Sequence, residues 1–330
     1  MTFKAVARKM DESLGGHLSE LVHRYREVSD YEKWRLQFQV DRLKRWWNFV
    51  GHHFPVQDHT SVVRNLKADG FATIIGAVDP APLAKIRDEA EEHFNSASNL
   101  NPVSNDSLRV DGDRASPDVF LSEDDLAKGE EYLRHRTNNI SLKEPLVHCP
   151  SVAHVALDNL LIDVAAGYLG CIPAIGGVNL RKSYANDLCD FDTNYFHSDP
   201  NSPKFLKFFF YLNNVDENGG PFCYVRGSHR RKFPGWRRKY RWTFEEMVQT
   251  YGRDSIRDLT AKVGDLIVAD TTGFHRGTKV RTTDRMMLTV NYVVHIEFRG
   301  KQKPFQLSSC DYEYLSAKQR AATSFLEVIR

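Results

Sequence analysis

The sequence predicts a mainly β protein, a sandwich or barrel with flanking helices. From Gly170 onward, short apolar segments recur at 177–184, 194–197, 205–212, 222–225, 265–269 and 286–298. Turn chemistry separates them, in Asn213-Asn214, Glu217-Asn218-Gly219-Gly220, Val263-Gly264-Asp265 and Thr282-Thr283-Asp284. Many short strands punctuated in this way close into sandwiches or barrels. The part before Gly170 shows helical spacing instead.

Composition narrows the functional classes. The chain has 330 residues, 41% hydrophobic and 27% charged, enough for one large domain with a real core. A net charge of +2 gives no global nucleic-acid signature. No apolar run approaches the length that spans a bilayer, and the first thirty residues lack the apolar core of a secretory signal. The five cysteines are scattered and form no Cys-x-x-Cys pair, so they read as neither a disulfide framework nor a thiolate zinc site. The expectation is a reduced, cytoplasmic protein.

In chain order, residues 1–60 read as a helical extension, broken at Gly15-Gly16, ahead of a domain at 61–330. Between 30 and 50, Trp34, Phe38, Leu43, Trp46, Trp47 and Val50 fall at roughly helical spacing among Lys33, Arg35, Arg42, Lys44 and Arg45. Such a helix can touch a membrane surface peripherally. The plainer expectation is that its aromatic stripe packs on the main domain or on a second subunit, because tryptophan is a common anchor. A turn and a strand start at 66–75. Asp79 and Pro80 then open a helix, as N-cap and first-turn residue, with Leu83, Ile86, Ala90 and Phe94 as its buried stripe. Residues 95–118 are polar and read as a lid or binding loop, with disorder as the competing reading. A helix capped by Ser151 is expected to run to Gly170. Within the β region, an insertion at about 230–258 carries a capping box, Thr243 with Glu246.

The chemistry centres on Phe196-His197-Ser198-Asp199-Pro200. On an extended backbone, His197 and Asp199 point the same way, so one strand end can aim both at a metal. Alone, a histidine two residues from an aspartate is common, and a surface pair explains it equally well. His275, after the segment 264–270, is the best third ligand. Two histidines and a carboxylate on one octahedral face leave three sites open, the arrangement of non-haem Fe(II) oxygenases; zinc accepts the same donors. Arg285, ten residues on and at the head of a strand, can face inward as a bidentate clamp for a dicarboxylate. It is expected on the strand beside that of His275. Arg276 should point away from the ligands, and Arg281 into solvent.

Four passages together resemble the phytanoyl-CoA dioxygenase family of Fe(II)- and 2-oxoglutarate-dependent oxygenases. They are Leu66-Lys67-Ala68-Asp69-Gly70-Phe71; His197-Ser198-Asp199; Asn218-Gly219-Gly220-Pro221-Phe222 with Gly227-Ser228-His229; and Gly264-Asp265 leading to His275 and Arg285. They span about residues 66–297. The resemblance implies a double-stranded β-helix, a jelly-roll or cupin-like core. It implies iron held by His197, Asp199 and His275, and Arg285 on the distal carboxylate of 2-oxoglutarate. Arg181, Ser183 and Phe209 are expected beside that cosubstrate. Relatives often carry a serine two residues past the distal histidine; here that residue is Gly277, and Thr278 is expected to supply the hydroxyl. The implied reaction consumes dioxygen and 2-oxoglutarate and oxidises a substrate C–H bond. Related halogenases lack the carboxylate that Asp199 provides, so hydroxylation is expected, with desaturation and cyclisation using the same ligands.

For the substrate, the segment 226–241 is strongly basic and interleaved with Phe233, Trp236 and Tyr240. Arg226, Arg230 and Arg231 are the expected contacts for a small anionic or carrier-linked substrate. A solvated charged loop accounts for the composition equally well, and nucleic acid ranks third because the whole chain is near neutral. Two other functional classes share these features: a non-catalytic metal-binding or regulatory module on the same fold, and a metal enzyme that does not use 2-oxoglutarate.

Overall fold

A computed structural model of the chain describes residues 30–52, 57, 59–101, 121–190, 192–199, 202–295 and 306–329. The break at Gly15-Gly16, most of the polar segment 95–118 and the strand end past 295 lie outside the described residues, as do the side chains of Trp34 and Val50.

Helix α1 (Asp30–His52) lies on the main body through Phe38, which joins the core at 2% exposure. Its Arg45 donates to Val294 O at 2.9 Å and to Ser324 Oγ at 2.9 Å. The aromatic stripe is packed only in part, since Leu43, Trp46 and Trp47 stay exposed. Helix α2 (Thr60–Asp69) stops at Gly70, which takes φ 90° and donates its N–H to Leu66 O, a left-handed cap that suits glycine. In α3 (Pro80–Phe94), Asp79 caps as expected by accepting from Ala81 N. The single helix expected up to Gly170 is in fact two, α4 (Pro150–Ala156) and α5 (Asn159–Leu169). Asp158 breaks it by turning extended (ψ 138°) and capping α5 at Leu160 N. Ser151 is not the cap of α4: it lies inside the helix and its hydroxyl donates to Glu89. Helix α6 (Phe244–Tyr251) carries the expected capping box. No single described helix is long and apolar enough to cross a membrane.

Twelve strands are described: β1 (Phe71–Ile74), β2 (Leu100–Asn101), β3 (Asn139–Leu142), β4 (Ala174–Ser183), β5 (Leu206–Tyr211), β6 (Phe222–Val225), β7 (Ile256–Leu259), β8 (Leu266–Ala269), β9 (His275–Gly277), β10 (Arg285–Val293), β11 (Gln306–Ser308) and β12 (Glu327–Ile329). Seven form an antiparallel sheet in the order β1-β8-β5-β10-β4-β3-β2, and three form a smaller sheet, β7-β6-β9. The architecture is a jelly-roll with helices flanking it. Strand β7 overlaps the end of the segment expected as a helical insertion, in which α6 is an eight-residue helix in the second half. Residues 194–197 are not a strand either. A 3₁₀ turn at Asp192–Asn194 leads into two isolated bridges, Phe196 to Trp242 and His197 to His275.

The large sheet has two apolar faces, and the period-two alternation of its strands sorts them. Leu206, Phe208 and Phe210 of β5, with Leu288, Val290 and Tyr292 of β10, pack in one cluster with Leu83, Ile86 and Phe94 of α3. Phe209 and Tyr211 turn the other way and pack with Phe222 and Tyr224 of the small sheet. Between the two sheets, on that second face, the packing leaves a cavity.

Candidate metal centre and cavity

His197 and His275 are brought together by backbone pairing. Each donates its N–H to the other's carbonyl at 2.9 Å, so the two residues sit directly opposite each other and their side chains emerge side by side. The ring centroids are 4.3 Å apart. Asp199 is held next to them by its own N–H, which donates to Thr271 O. One ligand atom from each of the three lies within 4.8 Å of the others. Both histidines are buried, at 8% and 5% exposure.

The imidazoles are oriented for donation. Nδ1 of His197 is 3.0 Å from Tyr195 O and Nδ1 of His275 is 3.0 Å from Gly273 O. A carbonyl accepts only, so Nδ1 carries the proton and Nε2 the lone pair. The Nε2 atoms face Asp199, at 3.7 Å from Oδ1 for His197 and 3.5 Å from Oδ2 for His275. Burial first, and the neighbouring His197 second, push His275 down to about 3. Burial alone would raise Asp199; Lys207, His275 and His197 outweigh it and hold the carboxyl well below the usual range. Two imidazole Nε2 atoms and a carboxylate therefore converge, a donor set that fits a divalent cation. Fixing Nδ1 on a carbonyl is also how metal-ligating histidines are usually oriented.

These ligands open on a cavity of about 360 Å³, within the range of small-molecule sites. Its large-sheet wall is read off the register. Arg181 of β4 pairs with Met287 of β10, Asn179 with Thr289, and Gly177 with Asn291; Thr289 and Asn291 pair on their other side with Phe209 and Lys207 of β5. All of these line the cavity, with Phe222, Gly277 and Thr193 on the opposite side. Arg285 also lines it, at 6% exposure. Its Nη2 donates to Ser183 Oγ at 3.1 Å and its Nη1 to Gly220 O. Contrary to expectation, β10 is not beside β9. Its neighbours are β4 and β5, so Arg285 looks across the cavity toward His275 from the other sheet.

The remaining expected residues divide. Arg181 and Phe209 line the cavity, and Ser183 reaches it through Arg285. Thr278 does not: its hydroxyl donates to Pro221 O, beside a smaller neighbouring pocket that shares Arg285. Arg276 turns away, over the rings of Phe196 and Phe244, and Arg281 is exposed. Arg226, Arg230 and Arg231 are exposed and outside the cavity, Arg230 donating to Ala68 O. The strand order explains this, because β6 ends at Val225 and the chain leaves the sheet there. Lys207, Asn179, Thr289 and Asn291 were not anticipated, yet they form much of the polar lining. Lys207 had a readable signal, a lone charge within the apolar run Phe205-Leu206-Lys207-Phe208-Phe209-Phe210-Tyr211-Leu212.

A family model described as phytanoyl-CoA dioxygenase (PhyH) matches residues 66–287. Curated protein sequences give no match. Similar solved structures include the epimerase SnoN with Fe³⁺, alpha-ketoglutarate and nogalamycin RO, 13% identical, covering 71% of this chain and 82% of that one, TM-score 0.49. HygX from Streptomyces hygroscopicus, with nickel and 2-oxoglutarate, is 16% identical over 82% of this chain and 97% of that one, TM-score 0.48. EctD from S. alaskensis with bound Fe is 18% identical over 82% of this chain and 88% of that one, TM-score 0.49.

Proposed function

The chain belongs to the phytanoyl-CoA dioxygenase family of Fe(II)- and 2-oxoglutarate-dependent enzymes, and on that footing we propose that it hydroxylates a C–H bond of a small, anionic organic substrate. One observation carries the residue assignments: the two imidazoles and the carboxylate share a buried cavity with the Arg285 guanidinium. His197, Asp199 and His275 would hold the iron, a two-histidine, one-carboxylate donor set of the kind that admits a 2-oxo acid and dioxygen. Arg285 takes the distal carboxylate of 2-oxoglutarate through charge-assisted bonds. Ser183 and the Gly220 carbonyl fix the guanidinium beforehand, so little side-chain entropy is lost on binding. Phe209, Phe222 and Met287 supply an apolar wall beside the ligands, which limits water at the reacting carbon.

When bound, iron and 2-oxoglutarate couple decarboxylation of the oxo acid to insertion of one dioxygen atom into a C–H bond. Overall, R–H, dioxygen and 2-oxoglutarate give R–OH, succinate and carbon dioxide. The test combines purified protein with Fe(II), 2-oxoglutarate and a metabolite mixture in air. Stoichiometric succinate and a product heavier by one oxygen are expected. Loss of two hydrogens instead would change hydroxylation to desaturation or ring closure. Absence of both succinate and an anaerobic visible charge-transfer band with Fe(II) and 2-oxoglutarate would overturn the proposal.

A further inference from the structure

The cavity carries more positive than negative charge. Arg181, Lys207 and Arg285 line it against a single carboxylate, Asp199. A ferrous ion and a doubly charged 2-oxoglutarate cancel each other, so loading leaves that excess in place. Arg285 sits at one end, six residues along β10 from Asn291, a run of roughly 20 Å at about 3.4 Å per residue. At the other end, Asn291 pairs directly with Lys207 on β5 and with Gly177 on β4. Lys207 Nζ lies 2.7 Å from Asp199 Oδ2, with its side chain only 21% exposed. Asn291 Oδ1 is buried and accepts no hydrogen bond among the described residues. A buried acceptor left in this state is costly unless a ligand satisfies it.

We propose that this end of the cavity, built from Lys207, Asn291 and Asn179, is the substrate subsite and takes a small carboxylic acid carrying a hydrogen-bond donor beside its carboxylate. The inference rests on the oxygenase reading above, in which the cosubstrate occupies Arg285 and leaves the opposite end for the substrate. Lys207 is a single point charge with flexible reach, matched to one carboxylate rather than to a dianion. Because its ammonium also faces Asp199, it places the acid within reach of the ligand cluster. Asn291 Oδ1 takes the donor, a hydroxyl or an amine. The exposed arginines at 226–231 play no part in this recognition.

The experiment uses the full chain loaded with Ni(II), which holds the site without turnover. Binding of 2-oxoglutarate is titrated first. A panel of acids, 2-hydroxy acids, their primary amides and phosphate monoesters of equal chain length is then titrated by calorimetry. Acids are expected to bind about tenfold tighter than their amides, the scale of one charge-assisted hydrogen bond. Lys207→Met should erase that ratio and Lys207→Arg should keep part of it. Asn291→Val should erase the advantage of hydroxy acids over plain acids. The acid-to-amide ratio is internal, so general damage to the Asp199 region cannot mimic its loss. Equal binding of acids and amides, including no binding of either, overturns the subsite, as does a ratio that survives Lys207→Met. Preference for phosphate monoesters overturns the carboxylate assignment. Failure of 2-oxoglutarate itself to bind removes the oxygenase reading, and the subsite with it; 2-oxoglutarate binding without an acid preference removes only the subsite.

Discussion

Arg285 is a buried guanidinium bonded to a carbonyl and a hydroxyl, with no carboxylate among its described partners. Burial disfavours its charge and lowers its pKa, a cost that a bound dicarboxylate offsets. Arg285→Ala is therefore expected to raise the half-saturating 2-oxoglutarate concentration by roughly 30- to 100-fold, equivalent to about 2–3 kcal/mol of lost charge-assisted bonding. Steady-state succinate assays read this directly, and an unchanged requirement would move the clamp to Arg181. Gly277 offers the opposite change. A Cβ built there meets nothing closer than Arg285 Nη2 at 3.8 Å, so Gly277→Ser fits and aims a hydroxyl at the clamp end. A several-fold lower 2-oxoglutarate requirement is expected from the added hydrogen bond, on the order of 1 kcal/mol. At this scale the site was legible where residue type was scarce and spacing special: two histidines, an aspartate and one arginine. Lys207 was marked only as a lone charge within an apolar run, which does not say what it faces, and Asn291 escaped because an asparagine on an alternating strand carries no motif. Only the register, which sets Asn291 opposite Lys207, gives them meaning.

The turn between β8 and β9 shows how an element sets ligand geometry. Gly273 packs against Tyr224, whose hydroxyl donates to Asp270 O; a Cβ at Gly273 would collide with the Tyr224 hydroxyl itself. The Gly273 carbonyl also orients His275 through Nδ1. Gly273→Ala is expected to cost on the order of 2–3 kcal/mol by overpacking, and to weaken Co(II) binding along with stability. Thermal melts and metal titrations check the two effects separately. Lys232 braces the other side of the ligand segment. Its ammonium donates to Thr272 O and reaches Ser198 Oγ at 3.3 Å, over the ring of Phe274 at 4.0 Å. Burial pushes Lys232 down from 10.5 to about 7, against an opposing pull from Asp270. Between those two values the unfolded chain binds a proton that the folded chain has released, so stability rises with pH across the window. Melting temperature should climb between pH 7 and 9.5 in the wild type and climb less in Lys232→Met. An identical slope would show that Lys232 titrates normally in the folded protein. Elements with capping chemistry, α3 and α6, were legible to the residue. Strands β7 and β9 were not, because three or four residues cannot establish a period of two; pairing with β6 forms them.

At the scale of the whole molecule, the sequence before residue 60 and the oxygenase core differ in pattern, and long-range bonds join the described helix α1 to the core. Arg45 of α1 bonds to Val294 O and Ser324 Oγ and lies 4.4 Å over the Phe325 ring. Asp41 meets His295 Nδ1 at 2.6 Å, and Phe38 is the only fully buried side chain described on the helix. Its aromatic pattern alone could not tell packing from exposure, because 3.6-residue spacing puts Phe38 and Trp46 on overlapping faces. The long-range partners decide it, and Trp47 stays 71% exposed. With Leu43, Trp46 and Trp47 exposed along its described part, α1 is expected to open before the core does. Arg45→Ala removes its bonds to the Val294 and Ile172 carbonyls and to the Ser324 hydroxyl, together with the Phe325 ring contact, and leaves the Val294 carbonyl without that donor. A loss of about 1–3 kcal/mol in local stability is expected. The check is hydrogen exchange: amides of 35–47 should exchange roughly tenfold or more faster, while those of β5 and β10 keep their wild-type rates. Because those two strands carry the cavity wall, 2-oxoglutarate binding should be unchanged in this variant. If exchange instead accelerates equally in α1 and β10, the helix is part of the core's cooperative unit, and the extension cannot be treated as an accessory to the cavity.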